Sequence, residues 1–215
     1  MRRLLVATTN PGKVREIRRV LDGIGVDLLT LTDLPPIVEP EETGRTFAEN
    51  ARLKAIYYAR SSGLPTVAED SGLAIDALGG RPGVESARYP GATYAEKFAN
   101  LYRELAPHPH PWTARFVCAL AFVDPAQATG PRAPETPAGA SDPGLLAFES
   151  EGIVEGVVIE APRGPNGFGY DPIFFYPPYR CTLGEATDEQ KLVVSHRGQA
   201  FRTFRAWLER RARSA

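Results

Sequence analysis

The sequence predicts an α/β protein with a mixed central sheet flanked by helices, built as two lobes with the active site in the cleft between them. Three observations predict this. Short apolar runs of strand length alternate with amphipathic stretches of helix length. Capping boxes, in which a Thr and a Glu three residues later satisfy each other's backbone N–H groups, open two helical stretches at Thr46-Phe47-Ala48-Glu49 and Thr93-Tyr94-Ala95-Glu96. Two long apolar runs in the middle of the chain follow one another with no helix between them, which reads as a hairpin and makes the sheet mixed. With roughly 150 residues per domain as a guide, 215 residues make one two-lobed domain spanning 1–215.

The elements follow in order. Residues 4–7 form a buried strand that runs through Thr8-Thr9-Asn10-Pro11-Gly12-Lys13 into an amphipathic helix ending near Leu21. Residues 27–31 are a second strand. The first capping box opens a long helix to about Ser62, ended by Gly63 and Pro65. Residues 66–68 are strand-like, Glu69-Asp70-Ser71-Gly72 is an acidic turn, and residues 73–75 resume the strand. The second capping box starts a helix to about Leu105. Residues 113–123 place Phe116, Cys118, Leu120 and Phe122 on one face of a long strand, which puts Cys118 in the core. Residues 124–144 are dense in Pro, Ala and Gly and form a flexible surface insertion. Strand character returns over 145–159 and again over 173–175, after a Gly-rich loop. A small helix begins near Thr187, and Ser195 caps a final helix with Ala200, Phe201, Phe204, Trp207 and Leu208 on its apolar face.

Composition narrows the function. The chain holds 25 basic and 26 acidic residues, a net charge of −1, with 43% hydrophobic residues. That balance argues against binding nucleic acid or a membrane surface by bulk charge. No apolar run reaches the roughly 18 residues of a membrane span, and the first residues are too short an apolar stretch for a signal peptide, so a cytoplasmic protein is expected. Cys118 and Cys181 form neither a disulfide framework nor a zinc motif. Lys13, Lys54, Lys97 and Lys191 are the only lysines among the 25 basic residues, so Arg outnumbers Lys 21 to 4. A retained Lys suggests a place for a compact ammonium instead of a flat guanidinium.

Several chemistries drop out. There is no G-x-x-x-x-G-K-[ST] loop, Ser71 lacks the flanks of a nucleophile elbow, and His108 and His110 sit in a stiff Pro-rich stretch unsuited to a metal pair. The Gly-rich run at 164–169 lacks the strand-to-helix setting of a dinucleotide fingerprint. Two clusters fit phosphate chemistry. Thr8, Thr9 and Asn10 offer side-chain donors, Gly12 lets backbone N–H groups approach a ligand, and Lys13 adds charge at a helix N-terminus, which together suit an anion; the alternative is that Thr9 or Asn10 merely caps the helix. Glu41 and Glu42, with Glu69 and Asp70, offer the hard oxygen ligands that suit Mg²⁺, with a solvated acidic loop as the alternative for Glu41 and Glu42.

These residues fall into seven ordered motifs: Thr8-x-Asn10-x-x-Lys13; Glu42-Thr43-Gly44-x-Thr46-Phe47-x-Glu49-Asn50-Ala51-x-x-Lys54-Ala55; Glu69-Asp70-Ser71-Gly72-Leu73; Gly79-Gly80-x-Pro82-Gly83; Ser86-Ala87-Arg88-Tyr89; Gly167-Phe168-Gly169-Tyr170-Asp171-Pro172; and Ser195-His196-Arg197-Gly198. In this the chain resembles the inosine/xanthosine triphosphate pyrophosphatases from about residue 4 to 205. The resemblance implies a dimeric, two-lobed α/β enzyme that uses Mg²⁺ to cleave ITP, dITP and XTP to the monophosphate and pyrophosphate, clearing deaminated purines from the nucleotide pool. It implies triphosphate binding by Thr8, Thr9, Asn10, Pro11, Gly12 and Lys13, help from Lys54 in neutralising phosphate, and a substrate contact at Ser71. Asp70 becomes metal ligand and water activator, with Glu42 favoured narrowly over Glu41 beside it. Phe168, Gly169, Tyr170, Asp171, Lys191, His196 and Arg197 become the base and sugar pocket. Three of the four lysines thereby fall at functional positions. Two features depart from the common bacterial pattern: Glu69 stands where a second Asp is usual, and 124–144 is longer than usual.

The implied chemistry is in-line attack of water on the α-phosphorus, with Asp70 orienting or deprotonating it. Hypoxanthine and xanthine present an acceptor at position 6 where adenine presents a donor amine, so donors such as Lys191 and Arg197 would favour the former. Phe168 would stack on any purine. Two other readings stand beside this one: a pyrophosphatase of similar fold directed at pyrimidine or modified nucleotides, and a regulator that holds a triphosphate without hydrolysing it.

Overall fold

The computed structural model describes residues 3–127 and 146–213. Seven strands form one mixed sheet in the order β2-β1-β3-β4-β5-β6-β7. They are β1 (Arg3–Val6), β2 (Asp27–Thr30), β3 (Thr66–Ile75), β4 (Trp112–Val123), β5 (Leu146–Val158), β6 (Phe174–Tyr176) and β7 (Cys181–Thr182). The helices are α1 (Pro11–Leu21), α2 (Phe47–Ser62), α3 (Tyr94–Leu105), α4 (Asp188–Val194) and α5 (His196–Arg213). β1 lies parallel to both β2 and β3, with Leu5 opposite Leu29 and Thr66. β6 is antiparallel to β5 and to β7. The predicted α/β class with a mixed sheet is therefore the fold observed.

The chain divides into two compact units: Met1–Asp70 with Cys118–Glu151 and Ala200–Ala215, and Ser71–Val117 with Gly152–Gln199. Each has its own core. In the first, Ala51, Ala55 and Ala59 of α2 are buried with Leu5, Ala68 and Ala121 of the strands. Small side chains let the helix backbone approach the sheet closely. On the other element of this unit, Phe204 of α5 packs against Phe122 and Phe148 with ring centroids 5.2 and 5.6 Å away, as the apolar face of the final helix predicted. In the second unit, Leu73, Ile75, Phe98, Leu101, Phe116 and Phe174 join one buried cluster.

Local chemistry sets the helix ends. Thr46 Oγ1 accepts the Glu49 N–H, and Gly63 adopts a left-handed φ of 67° to end α2. Thr93 and Glu96 close the predicted capping box on α3. Thr187 and Gln190 close another on α4, and Ser195 Oγ accepts the Gly198 N–H at the start of α5.

One expectation is corrected. The sequence places an acidic turn at Glu69-Asp70-Ser71-Gly72, but β3 runs unbroken from Thr66 to Ile75. The acidic side chains do not need solvent because lysines pair with them: Lys13 Nζ lies 2.7 Å from Glu69 and Lys54 Nζ 3.0 Å from Asp70. Gly72 is not a turn residue. A Cβ there would sit 2.3 Å from Ser86 Oγ and 2.5 Å from the Gly83 carbonyl, so its role is close approach. The surface insertion expected at 124–144 lies outside the described residues from position 128 on; its start, Pro125–Gln127, is a single 3₁₀ turn.

Candidate active site

The first unit gathers charge around the end of β1 and the middle of β3. Asn10 caps α1, its Oδ1 accepting the Gly12 and Lys13 N–H groups at 2.9 and 3.1 Å. Thr8 Oγ1 accepts the Asn10 N–H at 3.2 Å. Asn10 therefore caps the helix, as the sequence allowed, and its Oδ1 accepts from the Gly12 and Lys13 N–H groups. The loop also carries the Thr8 and Thr9 hydroxyls, the Asn10 amide and the Lys13 ammonium, which pairs with Glu69. Pro11 is exposed and Gly12 buried.

α2 supplies the next layer. Asn50 and Lys54 stand one turn apart, so they share a helix face, and together they hold Asp70 of β3. Lys54 Nζ donates to Asp70 Oδ1 at 3.0 Å and to Glu42 Oε1 at 2.6 Å. Asn50 Nδ2 donates to Asp70 Oδ2 at 3.2 Å. Glu42 is half-buried, whereas Glu41 is exposed, so Glu42 is the one of the pair that reaches the Asp70 group. Glu69, also buried, pairs with Lys13 and accepts the Cys118 thiol at 3.4 Å. Lys13 and Lys54 thus reach Glu69, and Asp70 with Glu42, respectively. Burial pushes the Asp70 carboxyl above the ordinary carboxylate value even though Lys54 pulls the other way. Burial works against the Lys54 ammonium, but Asp70, Glu69 and Glu42 outweigh it and hold Lys54 above its ordinary value. Both shifts have the same sense: each group holds its proton more tightly than it would in water.

Whether a divalent cation fits depends on the donors gathered here. Among the described residues no three His, Cys, Asp or Glu side chains converge as a metal cage. Mg²⁺ does not require one, since it is held by one or two carboxylates with phosphates and water. An ammonium already bridges Glu42 and Asp70 within 3.0 Å of both, and both donors are hard oxygens. The residues fit the ion.

The second unit holds the other group of expected residues. Lys191 of α4 pairs with Asp171 at 2.6 Å and lies 4.4 Å from the Phe168 ring centroid. Asp171 Oδ2 also accepts the Phe168 N–H at 2.7 Å. Arg197, buried in the first turn of α5, places its guanidinium 5.6 Å from the same ring and donates to Ser71 Oγ at 2.8 Å. Half-buried Phe168 thus meets two cations, an aromatic and cationic group suited to a flat, acceptor-bearing ring. Gly169 has φ 68°, which a side chain would strain. Two expected pocket residues turn inward. The Tyr170 hydroxyl donates to the Ser86 carbonyl, which uses that side chain in the core. His196 is buried with its ring stacked 4.9 Å from Phe116. The role of Asn50 was missed; the available signal was its position four residues before Lys54.

Fold and side chains together define an α/β protein equipped for metal-assisted phosphate chemistry, with a separate aromatic and cationic group of the kind that receives a nucleobase. The chain belongs to the Ham1 family, whose model matches residues 4–207, a family that acts with a divalent metal. It is 44% identical over 203 residues to a dITP/XTP pyrophosphatase of Geobacter sulfurreducens, covering 93% of each chain. It is 43% identical to one from Geobacillus kaustophilus, covering 93% of this chain and 91% of that one. Among solved structures, a HAM1 protein from Coxiella burnetii superposes with a TM-score of 0.80 at 35% identity, over 98% of this chain and 100% of that one. A nucleoside-triphosphatase / dITP/XTP pyrophosphatase from Mycobacterium abscessus does so with a TM-score of 0.70 at 40% identity, over 94% and 98%. No helix among the described residues is long and apolar enough to cross a membrane.

Proposed function

We propose that this protein hydrolyses ITP, dITP and XTP to the monophosphate and pyrophosphate with Mg²⁺, removing deaminated purines from the nucleotide pool. The observation that carries the reading is Asp70: a buried carboxylate held on both oxygens by Asn50 and Lys54, beside Glu42, with its carboxyl pushed above the ordinary value by burial. Such a group has the affinity for a proton that a general base needs. Full-length likeness to dITP/XTP pyrophosphatases supports the same reading.

Thr8, Thr9, Asn10 and Lys13 hold the triphosphate, with Lys54 helping to neutralise it. Asp70 takes the proton of a water as its oxygen bonds to the α-phosphorus. The bond from that phosphorus to the bridging oxygen breaks, and pyrophosphate leaves with the electron pair. When bound, Mg²⁺ would neutralise phosphate charge and ease departure of the leaving group, with Asp70 and Glu42 as its protein ligands. Phe168 stacks on the purine, and Lys191 and Arg197, which only donate, match an acceptor at position 6. The adenine amine finds no acceptor on either.

A panel of ITP, dITP, XTP, ATP, GTP and dTTP with pyrophosphate detection tests the proposal. Release from the first three, at kcat/KM well above the others, is expected. Preference for dTTP would favour the pyrimidine-directed reading, and tight ITP binding with no pyrophosphate would favour a regulator. We read the enzyme as a cytoplasmic homodimer acting on free nucleotides, as its family resemblance implies, without a nucleic-acid or membrane partner; light scattering on the purified protein checks the dimer.

A further inference from the structure

Asn50 has no solvent exposure, yet it carries a four-site amide. Its Oδ1 accepts the Gly44 N–H at 2.8 Å and its Nδ2 donates to Asp70 Oδ2 at 3.2 Å. Gly44 can only donate there, so Oδ1 must face Gly44 and the NH₂ must face the carboxylate; the amide has one orientation. Gly44 lies two residues beyond Glu42. One side chain therefore ties the loop bearing Glu42 to the strand bearing Asp70, and a Cβ on Gly44 would come within 2.5 Å of Asn50 Oδ1. Lys54, one helical turn on, repeats the connection with charge, donating to Glu42 and to the other Asp70 oxygen.

We propose that Asn50 is a positioning residue for the divalent-cation site: it fixes the rotation of the Asp70 carboxylate and the place of the Glu42 loop, so that both present oxygens to one ion. The inference rests on the Mg²⁺ role of Asp70 and Glu42 in the proposed function, and extends it to a residue that need touch neither metal nor substrate. A neutral amide suits the task better than a second Lys. It orients the carboxylate without adding a positive charge that would oppose the ion.

The test is Mn²⁺ binding, followed by electron paramagnetic resonance with the metal alone and no nucleotide, on wild type, Asn50→Leu and Asn50→Ser. Leu keeps the approximate shape and removes both bonds. Ser leaves room for water to satisfy Gly44 and Asp70, which keeps the test available if the Leu protein does not fold. Mn²⁺ affinity is expected to fall about tenfold or more in each folded variant, of the order seen when metal-supporting hydrogen bonds are removed. In ITP turnover, the Mg²⁺ concentration for half-maximal rate should rise by a similar factor while KM for ITP moves less than about twofold. Folded variants with wild-type Mn²⁺ affinity, or a wild type that takes up no Mn²⁺, would overturn the inference. A wild type with Asn50-dependent Mn²⁺ binding but no pyrophosphate release would overturn the proposed activity and leave the role of Asn50 standing.

Discussion

Lys191 and Asp171 close an ion pair of 2.6 Å with side chains only 5% and 3% exposed. Because Asp171 also accepts the Phe168 N–H, one carboxylate fixes both the ammonium and the ring beneath it. Removing one partner of a buried pair leaves the other charge without compensation, which costs roughly 3–5 kcal/mol. Asp171→Asn should therefore lose about 3 kcal/mol in urea unfolding, at the lower end of that range, and adding Lys191→Met should recover part of it. An Asp171→Asn midpoint equal to wild type would show that the pair is open in solution.

Asp70→Asn separates chemistry from stability. With the base gone, kcat for ITP should fall at least ~100-fold while calorimetry still detects ITP binding. Burial raises the Asp70 carboxyl above its unfolded value of 3.8, so the folded state holds that proton more tightly than the unfolded chain does. Ionising it costs stability as pH climbs above 3.8. The melting temperatures of variant and parent should thus lie closest in acid, with the variant gaining on the parent as pH rises to neutrality. A difference that does not change with pH would contradict this electrostatic account.

Arg197→Ala addresses base choice. If Arg197 donates to the position-6 oxygen, the variant removes a charge-assisted bond worth roughly 1.5–3 kcal/mol from ITP and little from ATP. The ITP to ATP ratio of kcat/KM should drop about tenfold or more, since about 1.4 kcal/mol is a factor of ten. Arg197 also donates to Ser71 Oγ, so some loss of stability is expected in addition. Equal losses for the two nucleotides would confine Arg197 to that structural bond.

Gly72→Ala distinguishes a strand from a turn at the acidic motif. In β3 the new methyl group meets Ser86 Oγ and the Gly83 carbonyl at well under van der Waals distance, an overpacking that costs typically 1–3 kcal/mol, or about 2 here. A turn glycine without such neighbours would tolerate Ala if its φ were negative. Chemical unfolding that shows no loss would argue against the observed packing of residues 83–86 on β3.

The parts of the molecule legible in sequence were those set by local chemistry. Thr93 with Glu96 forms the full capping box and Thr46 with Glu49 half of one, the Glu49 carboxylate accepting from the Arg45 N–H instead; both announce helix starts because the bonds are local. The apolar face of α5 follows from spacing alone. The site clusters were legible as chemistry: Lys13, Lys54, Asp70 and Lys191 each stand in a charged group. What stayed hidden depends on partners far along the chain. Glu69 and Asp70 look like a solvated turn until Lys13 and Lys54 are brought to them, and Gly72 looks like a turn residue until Ser86 arrives. The Tyr170 hydroxyl finds its acceptor only when Ser86, far along the chain, is brought to it. Asn50 stands one helical turn before Lys54, which puts it on the same helix face, but its bond to Asp70, twenty residues away, shows only in the folded chain.

The first compact unit is assembled from Met1–Asp70, Cys118–Glu151 and Ala200–Ala215, and α5 delivers the buried Phe201 and Phe204 to it. A ribosome makes these pieces in order, and domains generally fold as units during synthesis. This unit is complete only when its last helix has been made. Until then the nascent chain exposes the apolar faces of Phe122 and Phe148 that Phe204 will cover. The vulnerable period for aggregation therefore runs from the synthesis of Phe122 until Phe204 has been made, and a truncation that removes α5 would release a chain needing chaperone protection, even though every residue of the Asp70 cluster had already been synthesised.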